Sequence, residues 1–162
     1  MARRVFFSFH YERDVWRSSV VRNSWMTKPD RESAGFFDAS IWEEAKTKGK
    51  AAVEALIDDA LVGTSVTAVL IGEETAGREY VLHEIKRSYG KKGLLGIYIH
   101  NIEDSRGRKS AKGGNPFDRL SVARGGRDVR LSELFPTYDW INDDGYANLG
   151  RWVESAYQAA NP

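Results

Sequence analysis

The stretch TSVTAVLIG, Thr64–Gly72, constrains the fold more than any other part of the sequence. It is rich in β-branched and apolar residues and ends at a glycine, a pattern typical of a β-strand. Its apolar run is nearly continuous, so we expect both faces of the strand to be buried. Strands of this kind lie at the centre of parallel sheets that helices cover on each side.

Further predicted strands and helices alternate along the chain. A helix is clearest where five apolar residues recur at helical spacing and form one stripe, namely Val53, Leu56, Ile57, Ala60 and Leu61. Pro29 and Gly63 indicate where helices end. The predicted strands cover about 4–9, 34–40, 64–72, 93–100 and 133–139, and the predicted helices cover about 12–26, a segment ending at 63, 77–89 and about 144–160.

This alternation predicts an α/β fold, a flavodoxin-like, doubly wound parallel sheet of five strands in the order 2-1-3-4-5. We expect a single domain spanning residues 1–162. The polar, Gly- and Arg-rich residues 101–130 are predicted to form a long loop with one short helix near 116–120. In this order strands one and three are neighbours, and ligands bind just beyond their carboxyl ends.

Composition excludes several classes of function. The chain has 24 Lys and Arg against 23 Asp and Glu, so its net charge of +1 does not favour a nucleic acid or an acidic membrane as partner. It has no cysteine, which excludes disulfides and thiolate nucleophiles. No apolar run approaches the ~20 residues of a membrane span, and we expect a cytoplasmic protein. His10 and His100 fall at strand ends without a third ligand, so we expect no metal site.

The common phosphate-binding and nucleophile motifs are also missing. No G-x-G-x-x-G follows strand one, and neither G-x-x-x-x-G-K-[ST] nor G-x-S-x-G occurs. The exit from strand one is Ser-Phe-His-Tyr, whereas a phospho-acceptor receiver needs clustered acids there. The sequence therefore does not predict an ordinary dinucleotide dehydrogenase, a P-loop NTPase, an α/β-hydrolase or a receiver.

The candidate acid near the crevice is Glu84, in the first turns of the third predicted helix. Tyr80 and Val81 lie on its side of the helix, so its carboxyl borders an apolar stripe. A carboxylate beside aromatic rings suits cleavage of the N-glycosidic bond of NAD. Cationic nicotinamide leaves without a general acid, and the carboxylate stabilises the oxocarbenium character of the ribose. The alternative is an exposed Glu84 that pairs with Arg87.

The end of strand one supplies the other candidate residues, Phe7, Ser8, His10 and Tyr11. They leave the strand at the predicted crevice, where aromatic faces can stack on nicotinamide or adenine. Side chains alternate along a strand, so at least one of Phe7 and Phe9 packs in the core. The sequence leaves open whether Trp42 covers the site or is an ordinary packing residue.

Several spaced blocks resemble the TIR-like proteins of Thoeris anti-phage systems: RVFFSFHY, GFFDASIWEEAK, TSVTAVLIGEETAGREYVLHEIKRS, GNPFD and YDWINDDGY. The resemblance runs from about residue 2 to 153. It implies a flavodoxin-like fold, NAD as substrate with no other cofactor, and Glu84 as the catalytic acid. It further implies that the strand-one exit lines the pocket and that Asn115 contacts ligand. Tyr80 stands where many TIR proteins have Trp, and the segment between Asn115 and Tyr138 is shorter than in the family.

The resemblance also implies an activity. The protein would cleave nicotinamide from NAD and cyclise the ADP-ribose to a second messenger, which activates a separate effector, with a phage-derived trigger. The alternatives are a catalytically silent TIR interaction module that works through self-association or assembly with other TIR domains, and a plain nucleotide-binding or nucleoside-transferring domain of the same fold. Glu84 together with Phe7 and Ser8 favours the enzyme, because an adaptor has no chemical need for an acid there.

Overall fold

The computed structural model describes residues 3–162. Its strands, in chain order, are β1 Arg3–Ser8, β2 Arg31–Ala34, β3 Val66–Ile71, β4 Gly93–Tyr98, β5 Ser121–Arg124, β6 Arg127–Arg130 and β7 Thr137–Asp139. Five of them form one parallel sheet in the order β2-β1-β3-β4-β7. This confirms the flavodoxin-like architecture and the predicted order 2-1-3-4-5, in which β7 is the fifth strand.

β3 lies at the centre of the sheet, and all six of its residues are buried, as its composition predicts. It pairs with β1 on one side, where Ser8 lies opposite Val69, and with β4 on the other, where Gly93 lies opposite Val66. β1 and β3 therefore end side by side, where the topology predicts a ligand site.

The helices are α1 Tyr11–Met26, α2 Ala39–Lys48, α3 Lys50–Leu61, α4 Glu79–Ser88 and α5 Gly145–Ala160. α1 and α5 cover one face of the sheet, where Val21, Trp25 and Trp152 pack on the odd-numbered residues of β1. α2 and α3 cover Phe6 on the other face. On that same face, α4 packs Val81 and Ile85 against Val69 of β3.

The second strand exists, but the prediction placed it too late in the chain, at 34–40. β2 ends at Ala34, Gly35 turns the chain with a positive φ of 97°, and α2 begins at Ala39. Asp38 caps α2, because its carboxylate accepts a hydrogen bond from the Ser40 N–H at 2.9 Å. The apolar pair Phe36 and Phe37 that suggested a strand belongs to the β2–α2 loop.

Residues 101–130 form a loop only in their first part. A short 3-10 helix at Pro116–Arg119 matches the predicted one, and β5 and β6 then pair as an antiparallel hairpin. Gly125 and Gly126 both have positive φ, as the two central residues of a type I′ hairpin turn require. Val129 of this hairpin is buried, and Val122 packs against the apolar cluster that includes Val69 and Ile85.

Across residues 3–162, no helix combines the length and the apolar composition that a bilayer crossing requires.

Candidate active site

Glu84 lies on the face of α4 that packs against the sheet, not in solvent beside Arg87. Its side chain is buried, and the Ser8 hydroxyl donates a hydrogen bond to Glu84 Oε1 at 2.7 Å. Ser8 is the last residue of β1, so the pair sits at the carboxyl end of the sheet between β1 and β3. Topology and helical periodicity together bring these two predicted residues into contact.

Two further hydroxyls continue this buried polar row. Ser88 Oγ donates to the Glu84 carbonyl oxygen at 2.8 Å, one turn along α4. Thr67 Oγ1 lies 2.7 Å from Ser88 Oγ. We call Ser8, Thr67, Glu84 and Ser88 the polar seam, because they separate the apolar cluster around Phe6 from the cluster around Val69.

Burial controls the ionisation of Glu84. Desolvation raises the pKa of its carboxyl from 4.5 to about 8, and the hydrogen bond from Ser8 lowers it only in part. No cation contributes to this shift. At neutral pH the carboxyl is therefore mostly neutral, and a positive charge placed beside it would favour the carboxylate.

Aromatic rings lie beside the seam. Tyr80, one turn before Glu84, meets the Trp42 ring edge to face at 5.9 Å, and Tyr11 and Phe37 lie 5.0 and 5.4 Å from Trp42. The Tyr11 hydroxyl donates to the Phe37 carbonyl oxygen at 2.5 Å, which ties the β2–α2 loop to α1. Trp42 is thus part of an aromatic cluster at the site, where its buried Nε1–H has no hydrogen-bond partner within residues 3–162.

His10 is buried at the N-cap of α1, two residues after Ser8. Desolvation first, and then the nearby Arg78, lower the pKa of its imidazole. Its Nδ1 has no hydrogen-bond partner in the described part of the chain. A buried polar atom without a partner is available to a ligand that enters the site.

Phe7 does not share the side of the sheet that Ser8 and Glu84 occupy. Its ring is fully buried on the opposite face, in the cluster with Phe9 and Trp25, and meets Phe36 edge to face at 6.1 Å. Strand alternation explains the difference, since neighbours in β1 point to opposite faces. Of the strand-one residues only Ser8 has its side chain directly at Glu84.

Asn115 caps the 3-10 helix, because its Oδ1 accepts from the Phe117 N–H at 3.0 Å. It lines a polar surface cavity of about 350 Å³ with Glu73, Glu74 and Arg119. Glu84 does not line this cavity. The structure therefore places Asn115 near the β3–α4 loop but gives it no contact with the seam.

Sequence reasoning missed a second buried carboxyl, Asp14 in the first turn of α1. Burial raises its pKa, and it accepts a long hydrogen bond of 3.4 Å from Thr75 Oγ1. Thr75 in turn accepts from the Gly72 N–H at 2.8 Å. A side chain at Gly72 would collide with Asp14, whose Oδ2 lies 2.2 Å from an added Cβ. Asp14 reads as an ordinary charged residue in the sequence, and no signal there indicates its burial.

The described residues include no group of three or more His, Asp or Glu side chains arranged to hold a metal. His83 instead bridges Glu54 and Asp58 of α3, at 3.5 and 2.9 Å. His100 lies near Asp139 at 3.9 Å, on the far side of β4.

Taken together, the site can supply one desolvated carboxyl that is hydrogen-bonded to Ser8, with the Tyr80 and Trp42 rings on the same side of the sheet. Once ionised, such a carboxyl stabilises a developing positive charge far more strongly than an exposed carboxylate does.

Comparison with known proteins points to one family. A sequence profile described as "Thoeris protein ThsB, TIR-like domain" matches residues 6–104, which include the second half of β1, all of α4 and the whole polar seam. A protein of Bacillus cereus (strain MSX-D12), named "Putative cyclic ADP-D-ribose synthase ThsB1", is 37% identical over 191 aligned positions. The alignment covers 94% of this chain and 100% of the relative. The chain belongs to the Thoeris ThsB family of proteins with a TIR-like domain.

Proposed function

We propose that this protein is an NAD-processing enzyme of Thoeris-type anti-phage immunity. It releases nicotinamide from NAD and closes the remaining ADP-ribose into a cyclic isomer. The cyclic nucleotide is a diffusible messenger that activates a separate effector, and a phage component triggers its synthesis. NAD is the substrate, and no further cofactor takes part.

One observation carries the proposal: the Glu84 carboxyl is buried at the carboxyl end of the sheet, and Ser8 holds it there. An interaction module has no use for an unpaired buried acid, because desolvating it lowers the stability of the fold. The name of the Bacillus cereus relative supports the assignment of a cyclic ADP-ribose as product.

The chemistry follows from charge. The nicotinamide of NAD is a cation while bound to ribose and leaves as a neutral ring, so the positive charge moves to the ribose in the transition state. Ionised Glu84 stabilises that oxocarbenium-like ribose. A ribose hydroxyl or an adenine nitrogen of the same ADP-ribose then closes the ring, whereas attack by water gives the linear product.

Substrate entry also explains how a carboxyl with a pKa of about 8 becomes active near neutrality. The pyridinium charge of NAD favours the ionised form of the adjacent carboxyl. The carboxyl is only 5% exposed, so the aromatic cluster beside it must move to admit the ring. We assign Ser8, His10, Tyr11 and Asn115 to substrate contact, and Phe7 to the same pocket through its backbone.

The test is NAD turnover by the purified protein, with the nucleotide product identified by mass and chromatography. The wild type should release nicotinamide and form a cyclic product. Glu84→Gln should lower turnover by about 10²-fold or more, because a neutral amide cannot stabilise the transition-state charge. Extract from phage-infected cells is added in parallel, since a trigger is part of the proposal.

Glu79→Gln is the matched control, because it makes the same substitution on the same helix at an exposed residue paired with Lys50. It should keep wild-type turnover. If Glu84→Gln retains turnover, Glu84 is not the catalytic acid. If neither purified protein nor infected-cell extract converts NAD, the silent interaction module is the better description.

A further inference from the structure

A second cavity, of about 470 Å³, lies at the opposite end of the sheet. Gly93 and Leu94, the first residues of β4, line it together with Tyr89 from the end of α4 and Phe135. Gly93 pairs with Val66, whereas Ser8 pairs with Val69, which puts Gly93 about 10 Å back along the strands and two strands across from Ser8. The Thr67 end of the polar seam is nearer, because Thr67 pairs with Leu94, but neither Ser8 nor Glu84 lines the cavity. It is therefore separate from the proposed NAD site.

Its shape and lining suit a small molecule. The volume lies within the range of roughly 300–1,000 Å³ typical of small-molecule sites, and most lining residues are apolar, aromatic or small. The Tyr89 and Phe135 rings meet edge to face at 6.1 Å, and Ala156 and Ala159 of α5 leave room on the other side. An apolar body of a few carbon atoms fits these walls.

The charges around the cavity are all positive. Lys92 and Arg124 line it, and no Asp or Glu does. Lys92 is fixed, because its Nζ donates to the carbonyl oxygens of Leu61 and Thr64 at 3.0 and 2.7 Å. Arg124 is exposed and donates a long hydrogen bond of 3.4 Å to the Tyr89 hydroxyl. Within residues 3–162, neither cation pairs with a carboxylate side chain.

The C-terminal end of α5 opposes the binding of an anion in this cavity. α5 ends near the cavity, and a helix C-terminus carries roughly half a negative charge. Asn161 already donates to the Tyr157 and Gln158 carbonyl oxygens, which satisfies part of that end. The full charge of Arg124 at the rim outweighs the half charge of the helix end, while the Lys92 ammonium is already held by two carbonyl oxygens. The cavity therefore favours an anion.

We infer that this cavity is a second ligand site, which takes a small amphiphilic anion, an apolar body with a single acidic group. The apolar body lies between the Tyr89 and Phe135 rings and α5, and the acidic group meets Arg124 at the rim. The inference does not rest on the proposed NAD chemistry.

The test compares three probes of the same length, octanoate, octan-1-ol and octylammonium, by titration of backbone amide signals in NMR spectra. Octanoate should shift the Gly90 and Gly93 signals saturably with a Kd of roughly 1 mM, as expected for about ten non-hydrogen atoms. Octanol should bind about fivefold more weakly, because it lacks a charge for Arg124, and octylammonium more weakly still.

Two variants locate the site, and a third controls for net charge. Arg124→Gln should reduce octanoate affinity to that of octanol, and Ala159→Trp should fill the cavity and abolish binding of both. Arg151→Gln, which removes an exposed arginine of α5 that contacts Asn148, should leave binding unchanged. Glu84→Gln should also bind octanoate normally, which separates this test from the proposed enzyme.

Equal binding of octanoate and octylammonium, or no effect of Arg124→Gln, would overturn the anion preference. Saturable shifts that survive Ala159→Trp, or that are absent at Gly90 and Gly93, would overturn the cavity as the site.

Discussion

The two faces of the sheet are built differently. The face under α1 and α5 carries one continuous cluster of buried apolar residues. The face under α2, α3 and α4 carries two smaller clusters with the polar seam between them. Apolar burial stabilises a fold, whereas a buried carboxyl opposes it. The first face therefore contributes more apolar burial. α1 carries a buried carboxyl of its own, Asp14 beside Gly72 at the end of β3, whereas the second face buries Glu84 between its two clusters, where chemistry is proposed.

β1 shows the contrast in neighbouring residues. Phe7 packs into the apolar face, and Ser8 donates to Glu84 on the other. Substitutions at these positions should accordingly differ in kind, with loss of stability on one face and altered ionisation on the other.

The largest effect is expected at Phe7. Phe7→Ala should lower the free energy of unfolding by about 3–5 kcal/mol, because it leaves a cavity in the continuous cluster. Phe7→Leu should lower it by less than Phe7→Ala does, because Leu fills part of the space, and should leave the KM for NAD unchanged, since the ring lies away from Glu84. Denaturant unfolding and NAD turnover measure the two effects.

Phe6→Leu is the control on the other face, where the ring packs with Trp42. A stable Phe7→Leu protein with a raised KM would show that the Phe7 ring reaches substrate, and would break the division between the faces.

Glu84→Gln should stabilise the protein increasingly as pH rises. Between pH 4.5 and about 8 the unfolded chain carries the carboxylate while the folded chain keeps the neutral acid. Each pH unit in this range therefore lowers wild-type stability by about 1.4 kcal/mol relative to the variant, and the wild type regains nothing at higher pH. We expect Glu84→Gln to raise the free energy of unfolding by less than about 1 kcal/mol near pH 5 and by several kcal/mol near pH 8.

Thermal and denaturant unfolding across this pH range measure the difference, with Glu79→Gln as the exposed control on the same helix. A gain from Glu84→Gln that does not change with pH would mean that Glu84 is ionised in the folded protein already at low pH.

Ser8→Ala should change the pKa of Glu84 more than it changes the stability of the fold. The Ser8 hydrogen bond lowers the Glu84 pKa, so its removal should raise that pKa further above 8. If the carboxylate is the active form, the rising limb of the kcat/KM profile should move to higher pH, and stability should fall by only about 1 kcal/mol. A lower turnover with an unmoved profile would give Ser8 a role in contacting substrate instead of tuning Glu84.

The sequence predicts the apolar part of this structure better than the polar part. The nearly continuous apolar composition of β3 predicts that both of its faces are buried. The alternation of strands with helices then predicts the order of strands in the sheet. The same reasoning places Ser8 and Glu84 at one end of the sheet. This reasoning does not predict the hairpin of β5 and β6. Only Val122 and Val129 mark its inner side, and arginines lie close to both in the sequence.

The details of the site depend on tertiary geometry that no local pattern encodes. The alternation of side chains along a strand predicts that Phe7 and Ser8 point to opposite faces of the sheet. It does not predict which of the two points towards α4. Thr67 and Ser88 meet only because of how α4 is rotated on the sheet. Asp14 is buried by the close approach of Gly72, which the sequence shows only as the end of a strand.

The smallest expected effect tests whether the seam positions Glu84 or merely fills space. Ser88 gives its only hydroxyl proton to the Glu84 carbonyl oxygen, so Thr67 must be the donor in the 2.7 Å contact with Ser88. Thr67→Val keeps the shape and removes that donor, at a cost of about 1 kcal/mol in unfolding free energy. Thr64→Val removes a comparable buried hydrogen bond, from Thr64 Oγ1 to the Leu61 carbonyl oxygen at 2.7 Å, without touching α4.

Both variants should lose similar stability, but only Thr67→Val should lower NAD turnover per folded molecule and shift its pH profile. Its effect should be smaller than that of Ser8→Ala, because it reaches the carboxyl through the backbone of α4. Equal turnover in the two threonine variants would mean that Ser8 alone positions Glu84. The hydrogen bonds of Thr67 and Ser88 would then be purely structural.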